Sequence, residues 1–272
     1  MSGQARSPLF MIQVAEAASF LLNSMSPRSA PGFPIAPPTR RTPRQGCPVS
    51  DPLLAIFDHD GVLVDSLAFH QQAWLELGRR SGLPITAAFI HETFGMTNPS
   101  IFRLLLGESA AAADFAHHSD LKETYYRDLA RGRLHLMEGV REVLDELTGF
   151  GIRLAIGSSA VRPNLDLTVA ECGLVGRFAA IASLEDIERG KPDPQVFLIA
   201  ASRAGVDPSR SVVFEDAPVG IRAAKAAGMR AIGVETSHSA SALFEAGADD
   251  VVERLTGYDV AGLVRRLSTV EG

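Results

Sequence analysis

A short apolar run that stops abruptly on two acids limits what this chain can fold into. Leu53-Leu54-Ala55-Ile56-Phe57 leads directly into Asp58-His59-Asp60-Gly61, followed by Val62-Leu63-Val64-Asp65-Ser66. An apolar run of this length reads as a strand buried on both faces, the kind found in parallel sheets. Asp58 and Asp60 then lie just past its carboxyl end, where open α/β sheets place their ligands. Gly61 allows a sharp turn away from the sheet. Two carboxylates one residue apart repel each other unless a cation or a shared proton lies between them. Aspartate oxygens suit Mg²⁺. The same residues also suit an acidic turn capping the next helix, because Asp and Gly are common in turns. Asp65 and Ser66 read as the exit into that next element.

Beyond this stretch the periodicity changes twice. Residues 67–81 read as a helix, with Phe69, Ala73, Trp74 and Leu77 at helical spacing, stopped by Gly82-Leu83-Pro84. Further helices are expected at about 86–94, 98–106, 110–117 and 119–131, with no strand between 67 and about 135. This is an all-helical insertion. From Gly139 onward short apolar runs alternate with helices. The strands are expected at 153–157, 178–182, 211–214 and 231–234, with a short sixth at Val251-Val252. Strands alternating with helices give a parallel sheet covered on both faces. The expected architecture is therefore α/β: a Rossmann-like core from 51–66 and 136–272, with a helical cap at 67–135.

Residues 1–50 stand apart. They hold five arginines against one acid, Glu16, and Pro27, Pro31, Pro34, Pro37, Pro38, Pro43 and Pro48 punctuate the second half. Such a segment is expected to be a disordered leader, with one short amphipathic helix available at Phe10–Leu22. Its composition resembles an organelle transit peptide without a clear cleavage signal, and Met11 and Met25 are later start candidates. The rest of the composition excludes several classes. The formal net charge of −6 over 272 residues gives no support for nucleic-acid binding. No apolar run is long enough to span a bilayer. Cys47 and Cys172 are far apart in no metal-binding spacing, which points to a reducing, cytoplasmic setting. A monomer is expected.

Polar residues recur where the expected strands end. The first ends in Asp58 and Asp60, the second in Ser158-Ser159 and the fourth in Glu215-Asp216. Parallel strands put these on one edge. Lys191, in Gly190-Lys191-Pro192-Asp193-Pro194, lies in a loop able to reach it. Acids, hydroxyls and an amine converging on one rim suit phosphoryl transfer. A carboxylate can attack phosphorus, Mg²⁺ can offset the repulsion between them, and donors can hold the equatorial oxygens. Each group also has a plainer role. Ser158 and Ser159 could cap a helix, Lys191 could sit in a surface turn, and Glu215-Asp216 could complement a helix dipole.

Taken in order, Phe57-Asp58-His59-Asp60-Gly61-Val62-Leu63-Val64-Asp65-Ser66, Ser158, Lys191-Pro192-Asp193-Pro194 and Phe214-Glu215-Asp216-Ala217 resemble the haloacid dehalogenase superfamily. The match is to its phosphatase and β-phosphoglucomutase-like branch, and it covers about 53–255. The resemblance implies Asp58 as nucleophile and Mg²⁺ ligand. It implies Asp60 as general acid and base, with its backbone carbonyl on the metal. Ser158 and Lys191 would hold the phosphate, Asp216 and Glu215 would serve the Mg²⁺ site, and the helical insert would be the cap. His70, Trp74 and Asn98 are the candidate substrate contacts in that cap.

Four departures refine this. His59 stands where the family usually has an apolar residue, and its side chain is expected to point away from both acids. Glu138 precedes Gly139 where Pro is common. Asn98 matches the cap arginine that grips the distal phosphate in the mutases, and it cannot supply that bidentate charged grip. Val161 likewise replaces a polar mutase residue, although His70 does match a histidine near the mutase hinge. The expectation is a Mg²⁺-dependent phosphatase of small phosphorylated metabolites, acting through an aspartyl-phosphate. A hexose-phosphate mutase is the alternative, and a non-catalytic binding protein on this fold is a further one. The second acid at Asp60 and the Glu215-Asp216 pair disfavour a dehalogenase.

Overall fold

Leu54–Phe57 form β1, and all four side chains are buried. The computed structural model describes residues 52–93, 96–107 and 112–268 (side chains at 112–114 excepted), within the compact unit Pro48–Gly272. The leader and its expected helix lie outside the described residues. After β1 come four helices: α1 (Leu67–Ser81), α2 (Ala87–Glu92), α3 (Asn98–Leu106) and α4 (Ala112–Ala130). The chain continues through α5 (Val140–Gly149), β2 (Arg153–Gly157), α6 (Arg162–Glu171), β3 (Ala180–Ala182) and α7 (Gln195–Ala204). It finishes with β4 (Ser211–Glu215), α8 (Pro218–Ala226), β5 (Arg230–Val234), α9 (Ala240–Glu245), β6 (Asp250–Val252) and α10 (Val260–Ser268).

The six strands make one sheet in the order β3-β2-β1-β4-β5-β6, with every pairing parallel. Side-chain alternation along β1 splits the core in two. Leu54 and Ile56 pack toward α7 and α8, among Phe197, Ala200 and Ile221. Ala55 and Phe57 pack on the other face with Val143, Leu144 and Leu147 of α5 and Leu263 of α10. Burial on both faces is why β1 reads as a continuous apolar run rather than an alternating one. Phe57 pairs with Phe214 of β4, and their rings stack at 4.7 Å with a 4° interplanar angle. That stack locks the two strands whose ends carry Asp58 and Asp216.

The helical insert has its own small core of Trp74, Leu77, Ile90, Ile101 and Phe102. Trp74 and Phe102 meet at 5.2 Å between ring centroids. One expectation fails here: the helices at 110–117 and 119–131 are a single helix, α4. Ser119-Asp120 imitates a helix start because both residues favour N-caps, yet hydrogen bonding continues through them. The chain leaves for the insert and returns beside itself. Val64 bridges Leu136, and the Met137 N–H donates to the Leu63 carbonyl at 2.9 Å. Among the described residues no helix is long and apolar enough to cross a membrane.

Phe214 is fully buried and carries both the ring stack and the β1–β4 register. Phe214→Ala is expected to destabilise the protein by about 3–5 kcal/mol, read as a lower midpoint in urea denaturation at unchanged slope.

Candidate active site

Strand order places the acids before any side chain is considered. β1 and β4 are neighbours at the centre, so Asp58 and Asp216 leave the sheet side by side at its carboxyl edge. The Asp58 N–H donates to the Phe214 carbonyl at 3.0 Å, extending the β1–β4 ladder by one residue. Lys191 reaches into this edge from the loop before α7, where the Lys191–Pro192 peptide bond is cis. Its ammonium lies 2.9 Å from Asp58 Oδ1 and donates to Glu215 Oε1 at 2.6 Å. Glu215 Oε2 accepts from the Ala217 N–H at 2.6 Å.

The charges here are buried and unbalanced. Ligand atoms of Asp58, Glu215 and Asp216 lie within 4.8 Å of one another, and Lys191 is the cation among them. Burial disfavours the Lys191 ammonium, but the Asp58 and Glu215 carboxylates outweigh it and raise its pKa. Burial, followed by the charges of Glu215 and Asp58, pushes Asp216 well above the usual carboxylate range. Burial also raises Glu215, against the pull of Lys191. Asp216 Oδ2 is buried with no hydrogen-bond partner among the described residues. An orphaned carboxylate oxygen beside two other acids fits a divalent cation, as hard oxygen donors suit Mg²⁺.

Two glycines keep this cluster tight. A Cβ on Gly61, at φ +77°, would lie 2.1 Å from Asp216 Oδ2. A Cβ on Gly220, in the first turn of α8, would lie 1.7 Å from Glu215 Oε1. Both acids therefore need the absent side chain.

Asp60 lies outside the three-acid cluster, on the insert side. Its Oδ1 accepts from Ser66 Oγ at 2.5 Å and lies 3.2 Å from His70 Nε2. His59 Nδ1 is 2.9 Å from the same oxygen. Burial pushes the Asp60 carboxyl up, but the two imidazoles outweigh it and hold its pKa well below the usual range. The structure corrects the sequence reading twice here. His59 points toward Asp60, not away, because the tight turn at Gly61 breaks strand alternation. Its Nε2 lies 2.7 Å from Thr168 Oγ1 of α6, and it is fully buried. Ser66 is more than the exit to the insert, since its hydroxyl binds Asp60.

Ser158 and Ser159 end β2 on the same edge. Ser158 Oγ accepts from the Ala160 N–H at 3.2 Å. Neither serine caps α6, whose N-cap is Val161 with no side-chain bond. Both line a cavity of about 70 Å³ between the sheet edge and the insert, together with Asp58, Asp60, Lys191, Glu215 and Asp216. His70, Trp74 and Asn98 line it from the insert, so all nine candidate catalytic, phosphate, metal and substrate residues named from the sequence reach one space.

The insert wall also holds residues the sequence reading missed. Lys122 Nζ is 2.7 Å from His70 Nδ1 and donates to Glu123 Oε1 at 2.9 Å. Asn98 Nδ2 donates to Glu123 Oε1 at 2.7 Å, and Asn164 Nδ2 of α6 donates to Glu123 Oε2 at 2.6 Å. Burial opposes the Glu123 charge, but Lys122, His70 and the Asn164 donor bring its pKa down to about 2. The Arg127 guanidinium donates to Asn164 Oδ1 at 3.0 Å. Glu123 and Arg127 thus grip one α6 side chain from successive turns of α4. The available signal was Lys122-Glu123 and Tyr126 at i, i+4 spacing on one apolar helix face, which the division of α4 into two helices obscured.

Comparison with known proteins agrees with this geometry. Residues 55–234 match the haloacid dehalogenase-like hydrolase family. The chain is 33% identical to validoxylamine A 7'-phosphate phosphatase of Streptomyces hygroscopicus subsp. limoneus over 215 residues, 75% of this chain and 94% of that protein. It is 29% identical to the β-phosphoglucomutase of Bacillus subtilis, across 66% of this chain and 81% of the mutase. The structure of a Clostridium difficile β-phosphoglucomutase superposes with a TM-score of 0.70 at 23% identity, covering 79% of this chain and 97% of that one. With the acid-bearing strand ends, the lysine loop and the helical insert all in place, the chain belongs to the haloacid dehalogenase-like hydrolases and is an enzyme of that type.

Proposed function

We propose that the protein is a Mg²⁺-dependent phosphatase that hydrolyses phosphate monoesters of small metabolites through an aspartyl-phosphate on Asp58. The observation that carries this reading is the buried cluster of Asp58, Glu215 and Asp216 around one lysine, with an orphaned oxygen on Asp216. In this reading residues 67–135 are the cap, and 51–66 with 136–272 are the core.

The residues divide the chemistry between them. An Asp58 oxygen attacks phosphorus, a phosphorus–oxygen bond forms, and the bond to the leaving oxygen breaks. Asp60 gives its proton to that oxygen, then takes one from the water that attacks the aspartyl-phosphate. That second attack breaks the bond to Asp58 and releases inorganic phosphate. Ser66, His59 and His70 hold Asp60 as a carboxylate, which is the form that activates water. A phosphate dianion arriving beside it raises its proton affinity and favours the acid form needed first. Lys191 and the Ser158 hydroxyl hold equatorial oxygens. Asp58, Glu215, Asp216 and the Asp60 carbonyl would hold Mg²⁺, which when bound offsets the repulsion between Asp58 and the phosphate. The cap wall of His70, Trp74 and Asn98 selects the leaving group and excludes water.

A phosphometabolite panel, run with and without Mg²⁺, tests this against the mutase alternative. Released inorganic phosphate is expected to exceed isomerised sugar phosphate, and only with the metal. Asp58→Asn is expected to abolish turnover while circular dichroism stays unchanged; wild-type activity in that variant would sink the assignment. Mg²⁺ is also expected to raise the melting temperature of the wild type, since a ligand at 100 times its Kd adds about 2.7 kcal/mol. Asp216→Asn should remove that shift.

A further inference from the structure

The two walls of the cavity differ in how their charge is used. The sheet edge carries Asp58, Glu215 and Asp216 with Lys191 in contact, and Asp60 beside them. The insert wall carries one carboxylate, Glu123, and one ammonium, Lys122, in contact with each other at 2.9 Å. Among the described residues lining the cavity there are five carboxylates against two lysines and one histidine. A divalent cation on the sheet edge still leaves a formal excess of negative charge when His70 is neutral.

The positive charge of the insert wall is already paired with the wall's own carboxylate. Asn98 Nδ2 and Lys122 both donate to Glu123 Oε1, and Asn164 Nδ2 donates to Oε2. Lys122 spends a second contact on His70 Nδ1. The wall therefore has no net positive charge: Lys122 and the Asn98 and Asn164 amides keep one N–H each, beside the Glu123 carboxylate. A phosphate dianion meets that carboxylate without an unpaired cation to offset it. A hydroxyl can donate to the carboxylate and accept from the remaining N–H groups. Trp74, Ile90 and Ile101 line the same wall and suit the apolar face of a carbon ring or chain. Glu123 is 7% exposed, so water screens its charge little.

We propose that Glu123 is a specificity-determining residue that cancels the positive charge of the cap wall, so that the wall admits monophosphate esters of uncharged, hydroxyl-bearing compounds and rejects a second phosphate. This rests on the phosphatase reading for which phosphate goes to Asp58, but the selectivity itself is a binding property. The wall works by consuming the positive charge of Lys122, which would otherwise be available to a distal phosphate.

The protein reports binding without turnover. Trp74 is its single tryptophan and lines the cavity. Its fluorescence is titrated in the Asp58→Asn protein with Mg²⁺, using glucose 6-phosphate against glucose 1,6-bisphosphate, and fructose 6-phosphate against fructose 1,6-bisphosphate. The bisphosphates are expected to bind at least about tenfold more weakly, about the effect of one unfavourable charge contact. Adding Glu123→Gln should narrow that ratio about tenfold by releasing Lys122. Asn98→Arg, which leaves Glu123 in place, should move the ratio the same way if Glu123→Gln fails to fold. Equal binding of the two esters by the parent protein, binding of neither, or a ratio unchanged in a folded Glu123→Gln protein overturns the proposal. Selective binding in a wild type that releases no phosphate from any ester in the panel supports this proposal and defeats the phosphatase reading instead.

Discussion

Three buried carboxylates share one buried ammonium at the carboxyl edge of the sheet, and most of the molecule exists to hold that imbalance. Among the described residues, Asp58, Glu215 and Asp216 converge with only Lys191 in contact as a cation. Burial of unpaired charge is costly, so the cluster persists only because stable elements force it together. β1 and β4 are adjacent, fixed by the Phe57–Phe214 stack. Gly61 and Gly220 let the backbone approach the acids where a side chain would collide. An active site that stores repulsion in this way gains most from a ligand carrying positive charge, and next from a substrate whose charge that ligand neutralises.

Asp60 stands on the opposite principle. Its oxygen is crowded from three places: the turn itself through His59, the insert start through the Ser66 hydroxyl, and helix α1 through His70. His70 in turn touches Lys122, which touches Glu123, which holds Asn98 and Asn164. This chain of contacts runs from Asp60 to the contact between α4 and α6. Asp60 and the helical insert are therefore joined through named side chains. Thr168 and Asn164 both come from α6, the helix that follows the Ser158 loop, so that strand end is tied into the same network.

Much of this was legible in the sequence, because strand-end chemistry is local. The run before Asp58, Ser158 after 153–157 and Glu215-Asp216 after 211–214 each announce a strand and its polar end within a few residues. Parallel topology then brings them to one edge. What stayed hidden depends on contacts between distant segments or on a local break in alternation. His59 was misread because a strand-like alternation was carried one residue into a turn. Its partner Thr168 is 109 residues away. Nothing local marks Glu123 on its helix, and its partners come from distant α3 and α6. The Ser119-Asp120 cap signal was locally sound and was overridden by packing of a continuous helix against α1.

The claim on which the rest turns is that Asp58 carries the phosphoryl group. It is tested most directly by acid-quenching a single turnover within milliseconds and locating phosphate by peptide mass spectrometry. The account predicts a transient phosphorylated peptide spanning Asp58 that decays as inorganic phosphate appears. Phosphate released at full rate with no modified peptide, or modification on a residue other than Asp58, would contradict it.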